Sequence, residues 1–123
     1  MRRHLAVTVA ALAALALPLG ASADVRMDEG FAAAEDFDYA RALDSFRAAG
    51  EAGNVQGARI AGFMLLYGEP LYGPSVKGDR AAGLALLRKA AAGGCEVSAA
   101  VLAKITVAGE SLAPMAAVPR ERR

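Results

Sequence analysis

Side chains that exchange protons near neutral pH are scarce in this sequence. The one histidine is His4 and the one cysteine is Cys95. His4 falls inside a leader that reads as removable, so the body of the chain has no histidine for Ser-His-Asp or Cys-His catalysis, metal ligation or a pH switch. A single cysteine excludes an intramolecular disulfide and argues against a zinc cluster. Cys95 stands where a helix is predicted to begin. A helix N-terminus lowers a thiol's pKa, so the position reads either as a reactive or intermolecularly paired thiol, or as an ordinary turn residue.

Carboxylates are the other candidates. Asp24, Asp28, Glu29, Glu35, Asp36, Asp38, Asp44 and Glu51 crowd one stretch, offset by Arg26, Arg41 and Arg47. Two carboxylates across a cleft serve glycoside hydrolysis, and several converging oxygens bind calcium. No calcium-loop spacing is present, and helix caps with solvated helix faces account for most of the cluster. Gly62, Gly68, Gly73 and Gly78 lack the Gly-Lys-Ser/Thr ending of a phosphate loop. Tyr67 and Tyr72 flank Gly68-Glu69-Pro70-Leu71. Tyr72 is a candidate binding residue if it lies exposed on this connector, and otherwise covers a junction between helices. The sequence supports no catalytic residue, metal ligand or cofactor.

The address comes from the first 23 residues. Arg2, Arg3 and His4 precede an apolar run from Leu5 to Leu17, Pro18 and Gly20 read as helix breakers, and Ala21-Ser22-Ala23 is a small-x-small cleavage site before Asp24. The run is 13 residues, short of the roughly 20 that span a bilayer. Residues 1–23 are therefore read as a secretory signal peptide, leaving no stable membrane span after cleavage and placing the mature chain in the periplasm or outside the cell. Arginine outnumbers lysine 11 to 3 and alanine is abundant, a skew that points to a bacterium. The formal net charge of +1 implies no broad cationic surface for nucleic acid. With 55% hydrophobic and 22% charged residues, the chain is not an ordinary disordered protein, and its length allows one domain of roughly 100 residues.

What would position any site is a set of helices. Sliding the chain by 41 residues aligns 38–58 with 79–99, and seven of the 21 pairs are identical, including Asp38/Asp79, Leu43/Leu84, Arg47/Arg88 and Gly53/Gly94. Asp38 and Asp79 read as N-caps before apolar-periodic segments. Gly53 and Gly94 read as left-handed helix ends, after which Asn54, and Cys95 in its place, begin the next helix. Small residues such as Ala58, Ala61 and Gly62 let two helices approach closely. The predicted helices are about 26–35, 38–52, 54–67, 79–93 and 95–108, with no strands, a long connector over 68–78 and a flexible tail over 109–123. Leu43 and Leu84 are expected in the core, and Arg47 and Arg88 nearer the surface.

These residues resemble the Sel-1-like repeat, a relative of the tetratricopeptide repeat. The first unit carries Asp38-Tyr39, Ala42-Leu43, Phe46, Ala48, Ala49, Gly53-Asn54, Ala61-Gly62 and Met64. The second carries Val76-Lys77-Gly78-Asp79, Arg88-Lys89-Ala90-Ala91 and Gly94. It departs from the family pattern where Leu86 and Leu87 replace an aromatic pair, Cys95 replaces asparagine and Ala103 replaces glycine. The resemblance covers about 38–105. It implies an all-α fold, a short α-solenoid of about two helix–turn–helix repeats plus an N-terminal helix over 24–108, and a protein that binds other proteins.

The resulting expectation is an exported, non-catalytic scaffold or adaptor module of the bacterial cell envelope with a protein or peptide partner. The alternative is a cell-wall-active envelope enzyme or its accessory subunit. A third reading is a structural subunit that forms homo-oligomers. Two and a half hairpins leave apolar surface at the ends. Val101, on a last helix where Leu102 and Ile105 compete for the inward face, is therefore the second candidate binding residue, for a partner or a second copy.

Overall fold

The computed structural model describes residues 19–112. Within them the chain forms α1 (Leu19–Glu35), α2 (Tyr39–Glu51), α3 (Val55–Tyr67), the single turn α4 (Glu69–Tyr72), α5 (Arg80–Ala92) and α6 (Glu96–Leu112). The fold is all-α, with no strand among the described residues. Packing follows chain order: α1 lies on α2, α2 on α3, α3 on α5 and α5 on α6. No helix among the described residues is long and apolar enough to cross a membrane.

Local chemistry starts the helices where the sequence places the caps. The Arg41 backbone N–H donates to Asp38 Oδ1 at 3.2 Å, the Gly57 N–H to Asn54 Oδ1 at 2.8 Å and the Ala82 N–H to Asp79 Oδ1 at 3.0 Å. Each carboxylate or amide satisfies a donor that the first helical turn leaves free. At the other ends, Gly53 and Gly94 adopt φ of 101° and 98°. The next residue then donates its N–H to a carbonyl of the preceding helix, Asn54 to Ala49 at 3.0 Å and Cys95 to Ala90 at 3.0 Å. A tight left-handed ending thus becomes the cap of the following helix.

The core is a ribbon of small residues with a few large ones set into it. Ala42, Ser45, Phe46 and Ala49 are buried on α2, and Gly83, Leu86, Leu87 and Ala90 on α5. These are the same positions after a shift of 41. The leucine expectation needs correction: Leu43 and Leu84 are both only half-buried. On α2 the buried stripe runs 42, 45, 46, 49 rather than through 43, because the small residues Ala49 and Gly50 take the positions where α3 comes closest. A Cβ added to Gly50 would stand 2.6 Å from the Ala58 Cα, and one added to Gly83 would stand 2.8 Å from the Gly62 carbonyl oxygen. Backbone meets backbone at both crossings, and Leu43 and Leu84 lie to the flank while Leu87 packs against Gly62. Arg47 and Arg88 are exposed as expected.

The second helices of the two units diverge. On α3, held between α2 and α5, Gly57, Ala58, Ala61, Gly62, Met64 and Leu65 are all buried. On α6, which packs chiefly on α5, Ser98 is buried, while Val101, Leu102 and Ile105 are half-buried and Ala99 and Ala103 exposed.

Three boundaries differ from expectation. The connector is ordered: Val76 is wholly buried in the core, and the Asp79 N–H donates to the Leu65 carbonyl at 2.9 Å. Gly68 and Gly78 touch there backbone to backbone, leaving no room for a Cβ on Gly68. At the C-terminus, α6 runs through Leu112 rather than stopping at 108, and the remaining tail, 113–123, lies outside the described residues. At the N-terminus, residues 1–18 also lie outside them, but Gly20 sits within α1 instead of breaking it. The proposed cleavage site at 21–23 is therefore continuous with the helix whose Met27 and Ala33 enter the core.

Candidate functional site

One aromatic row stands out on the surface. Phe37 lies edge-on to Tyr39, with ring centroids 6.3 Å apart and planes at 82°. Tyr39 meets Tyr72 in the same manner at 5.5 Å and 67°. Three elements position these rings: the α1–α2 turn, the first residue of α2 and the last residue of α4. Leu71 beside them is 62% exposed, and Phe37 is 78% exposed.

The backbone under Phe37 is unusual. Its φ is 58°, and it is the one non-glycine residue with positive φ among those described. The turn is the same device as at Gly53 and Gly94, for the Asp38 N–H donates to the Ala33 carbonyl at 2.9 Å. In that conformation an L side chain crowds its own carbonyl, costing roughly 1–2 kcal/mol. The edge contact with Tyr39 returns about 0.5–1.5 kcal/mol when such pairs are well formed, and a ring so exposed gains little from burial.

Tyr72, the tyrosine singled out from the sequence, is half-buried and packs against the core. Its phenol pKa is raised, first by burial and then by the neighbouring phenols of Tyr39 and Tyr67. It therefore remains a neutral hydrogen-bonding group through the physiological range. It covers the junction between α2 and the connector, and it joins a binding face only together with Phe37 and Tyr39. Tyr67 itself stacks on Phe63, centroids 6.1 Å apart and nearly parallel.

Val101 is half-buried on α6. The more exposed apolar residues of that helix are Val97 and Val107, and a shallow cleft runs beside Ala103, Lys104, Val107 and Ala108. Val101 and Tyr72 are not brought together, since α4 contacts α3 while α6 rests on α5.

Cys95 occupies the turn position that Asn54 holds in the first unit. The residue is half-buried, and its thiol accepts a hydrogen bond from the Ser98 hydroxyl at 3.2 Å. That bond, with backbone donors from Ser98 and Val97 and the charge of Arg59, holds its pKa below the ordinary thiol value. The acidic residues form no metal site: among the described residues no group of three or more His, Cys, Asp or Glu could hold a metal ion. Asp38 and Asp79 serve as helix caps, and Glu51 pairs with Arg47 at 3.3 Å across an exposed helical turn.

Phe37 escaped the sequence reading. The signal was positional, because Phe37 precedes the capping Asp38 as Gly53 precedes Asn54 and Gly94 precedes Cys95.

Fold and surface together define, among the described residues, an all-helical chain whose most distinctive surface feature is the exposed Phe37 on a strained turn, with Tyr39 and Tyr72 half-buried beside it. Comparison with known proteins gives no match to this chain: no family model, no curated protein and no solved structure.

Proposed function

We propose that this chain is an exported, non-catalytic protein–protein interaction module of the bacterial cell envelope, periplasmic or secreted, built as a short α-solenoid of Sel-1-like repeats. Support for the repeat reading comes from caps, left-handed turns and buried positions that recur 41 residues apart, and from long helices that each pack on the one before. The observation that carries the functional reading is the Phe37–Tyr39–Tyr72 row. Phe37 is held in view of solvent with Tyr39 and Tyr72 half-exposed beside it, and rigid rings favour protein contacts because they offer large apolar area with little rotamer entropy to lose.

The test is affinity purification of the tagged chain from the envelope fraction after brief chemical crosslinking. The expected result is a discrete protein partner in fixed stoichiometry. Recovery of the chain from the cytoplasm, or from the envelope with no partner protein, refutes the proposal.

A further inference from the structure

Phe37 sits where backbone strain alone favours glycine. The two other turns with the same hydrogen-bond pattern both use glycine, at 53 and 94; at Phe37 the edge contact with Tyr39 offsets part of the strain, and burial adds little at a ring 78% exposed. Strained residues cluster at ligand clamps and binding sites, which makes an exposed ring on a strained turn a candidate contact. The ring's surroundings say what kind of contact. Within residues 35–41 and 69–72, Glu35, Asp36, Asp38 and Glu69 are all exposed, against one cation, Arg41. Asp36 and Asp38 bracket Phe37, and Glu69 lies one helical turn before Tyr72. The Asp38 carboxylate accepts one backbone N–H as a cap and keeps oxygen lone pairs for further donors.

An exposed ring with carboxylates on its neighbours along the chain fits a guanidinium. It is flat and weakly hydrated, so it stacks on a ring while its edge N–H groups pair with carboxylate oxygens. The adjacent Leu71 and Pro70, both exposed, provide apolar surface for the aliphatic stem and for the backbone of an extended chain. Resting on the interaction-module reading, we infer that the Phe37–Tyr39–Tyr72 row is the docking surface for an extended, arginine-bearing segment of the partner protein.

The probe is a blocked, fluorescently labelled octapeptide alternating arginine and proline, titrated into the full chain and read by anisotropy. Its counterpart has citrulline in place of arginine, which keeps the shape and removes the charge. The arginine peptide is expected to bind saturably, and the citrulline peptide about tenfold more weakly or not at all. Phe37→Gly, which relieves the strained turn and so keeps the fold, is expected to weaken binding about tenfold, while Phe37→Tyr retains it. No binding of the arginine peptide, equal binding of the citrulline peptide, or equal binding by Phe37→Gly overturns the inference. So does displacement of the peptide by soluble glycan strands with the same dependence on Phe37, which assigns the surface to carbohydrate. The two readings fail separately. An envelope partner still captured by Phe37→Gly leaves the module standing and removes this surface from it.

Discussion

Replacing Gly83 with alanine tests whether close backbone approach organises the fold. In a helix interior, alanine is favoured over glycine by about 0.5–1 kcal/mol, so local propensity alone makes Gly83→Ala stabilising. Packing says the reverse. The new Cβ would stand 2.8 Å from the Gly62 carbonyl oxygen and 3.0 Å from the Leu66 backbone nitrogen, both on α3. Neither is the movable end of a side chain, so α5 must shift off α3 along the crossing that carries Leu87 into the core. Overpacking of this kind costs about 1–3 kcal/mol, and the net expectation is a loss of about 1–2 kcal/mol after the propensity gain. For a domain with about 5–15 kcal/mol in all, that lowers the melting temperature by roughly 5–15 °C. Gly109→Ala is the internal control. Gly109 also lies in a helix, but an added Cβ meets nothing within 4 Å, so stability should hold or rise by up to about 1 kcal/mol. Thermal melts followed by circular dichroism at the helix band distinguish the two. Equal or higher melting temperature for Gly83→Ala refutes the packing argument.

Other outcomes follow from the same structure. Leu87 is wholly buried and Leu84 only half so. Leu87→Ala should therefore cost about 2–5 kcal/mol and Leu84→Ala clearly less, and matching denaturant midpoints would show the stripe is misplaced. Because the Cys95 pKa is lowered chiefly by the Ser98 hydroxyl, its thiolate is populated at lower pH than that of an unperturbed thiol. The rate of iodoacetamide alkylation should rise through a midpoint below that of free cysteine, and Ser98→Ala should move the midpoint up; an unmoved midpoint contradicts the assignment. Export with cleavage after Ala23 gives a mature chain beginning at Asp24, so intact-mass measurement on the envelope fraction should find that species rather than a full-length chain.

What the sequence made legible was the chemistry decided within a few residues. Asp38, Asn54 and Asp79 act as caps, and Gly53 and Gly94 turn the chain, because cap and turn geometry depend on neighbours along the backbone. Position within the core was harder. Hydrophobic spacing put Leu43 and Leu84 inward, whereas the centres of the helix crossings belong to Ala42, Ala49, Gly50, Gly62 and Gly83, whose small size shows its value only when the facing helix is in place. From its Gly and Pro content the segment 68–78 reads only as a long connector, yet Val76 anchors it in the core through contacts far apart in sequence. Phe37 was hidden for a different reason. A left-handed turn at a bulky residue contradicts the local preference that makes such turns readable, and conflicts of this sort concentrate at functional positions. Tyr72 was visible as a tyrosine beside a turn, but its partners Tyr39 and Phe37 come from another part of the chain.

The most direct measurement is site-specific photo-crosslinking in living cells, with a photoreactive phenylalanine analogue placed at position 37 or, as a control, at position 47. Both positions are exposed, but only the first belongs to the aromatic row. The account predicts a discrete adduct with one envelope protein from position 37 and none from position 47. No adduct from position 37, or the same diffuse adducts from both positions, would contradict it.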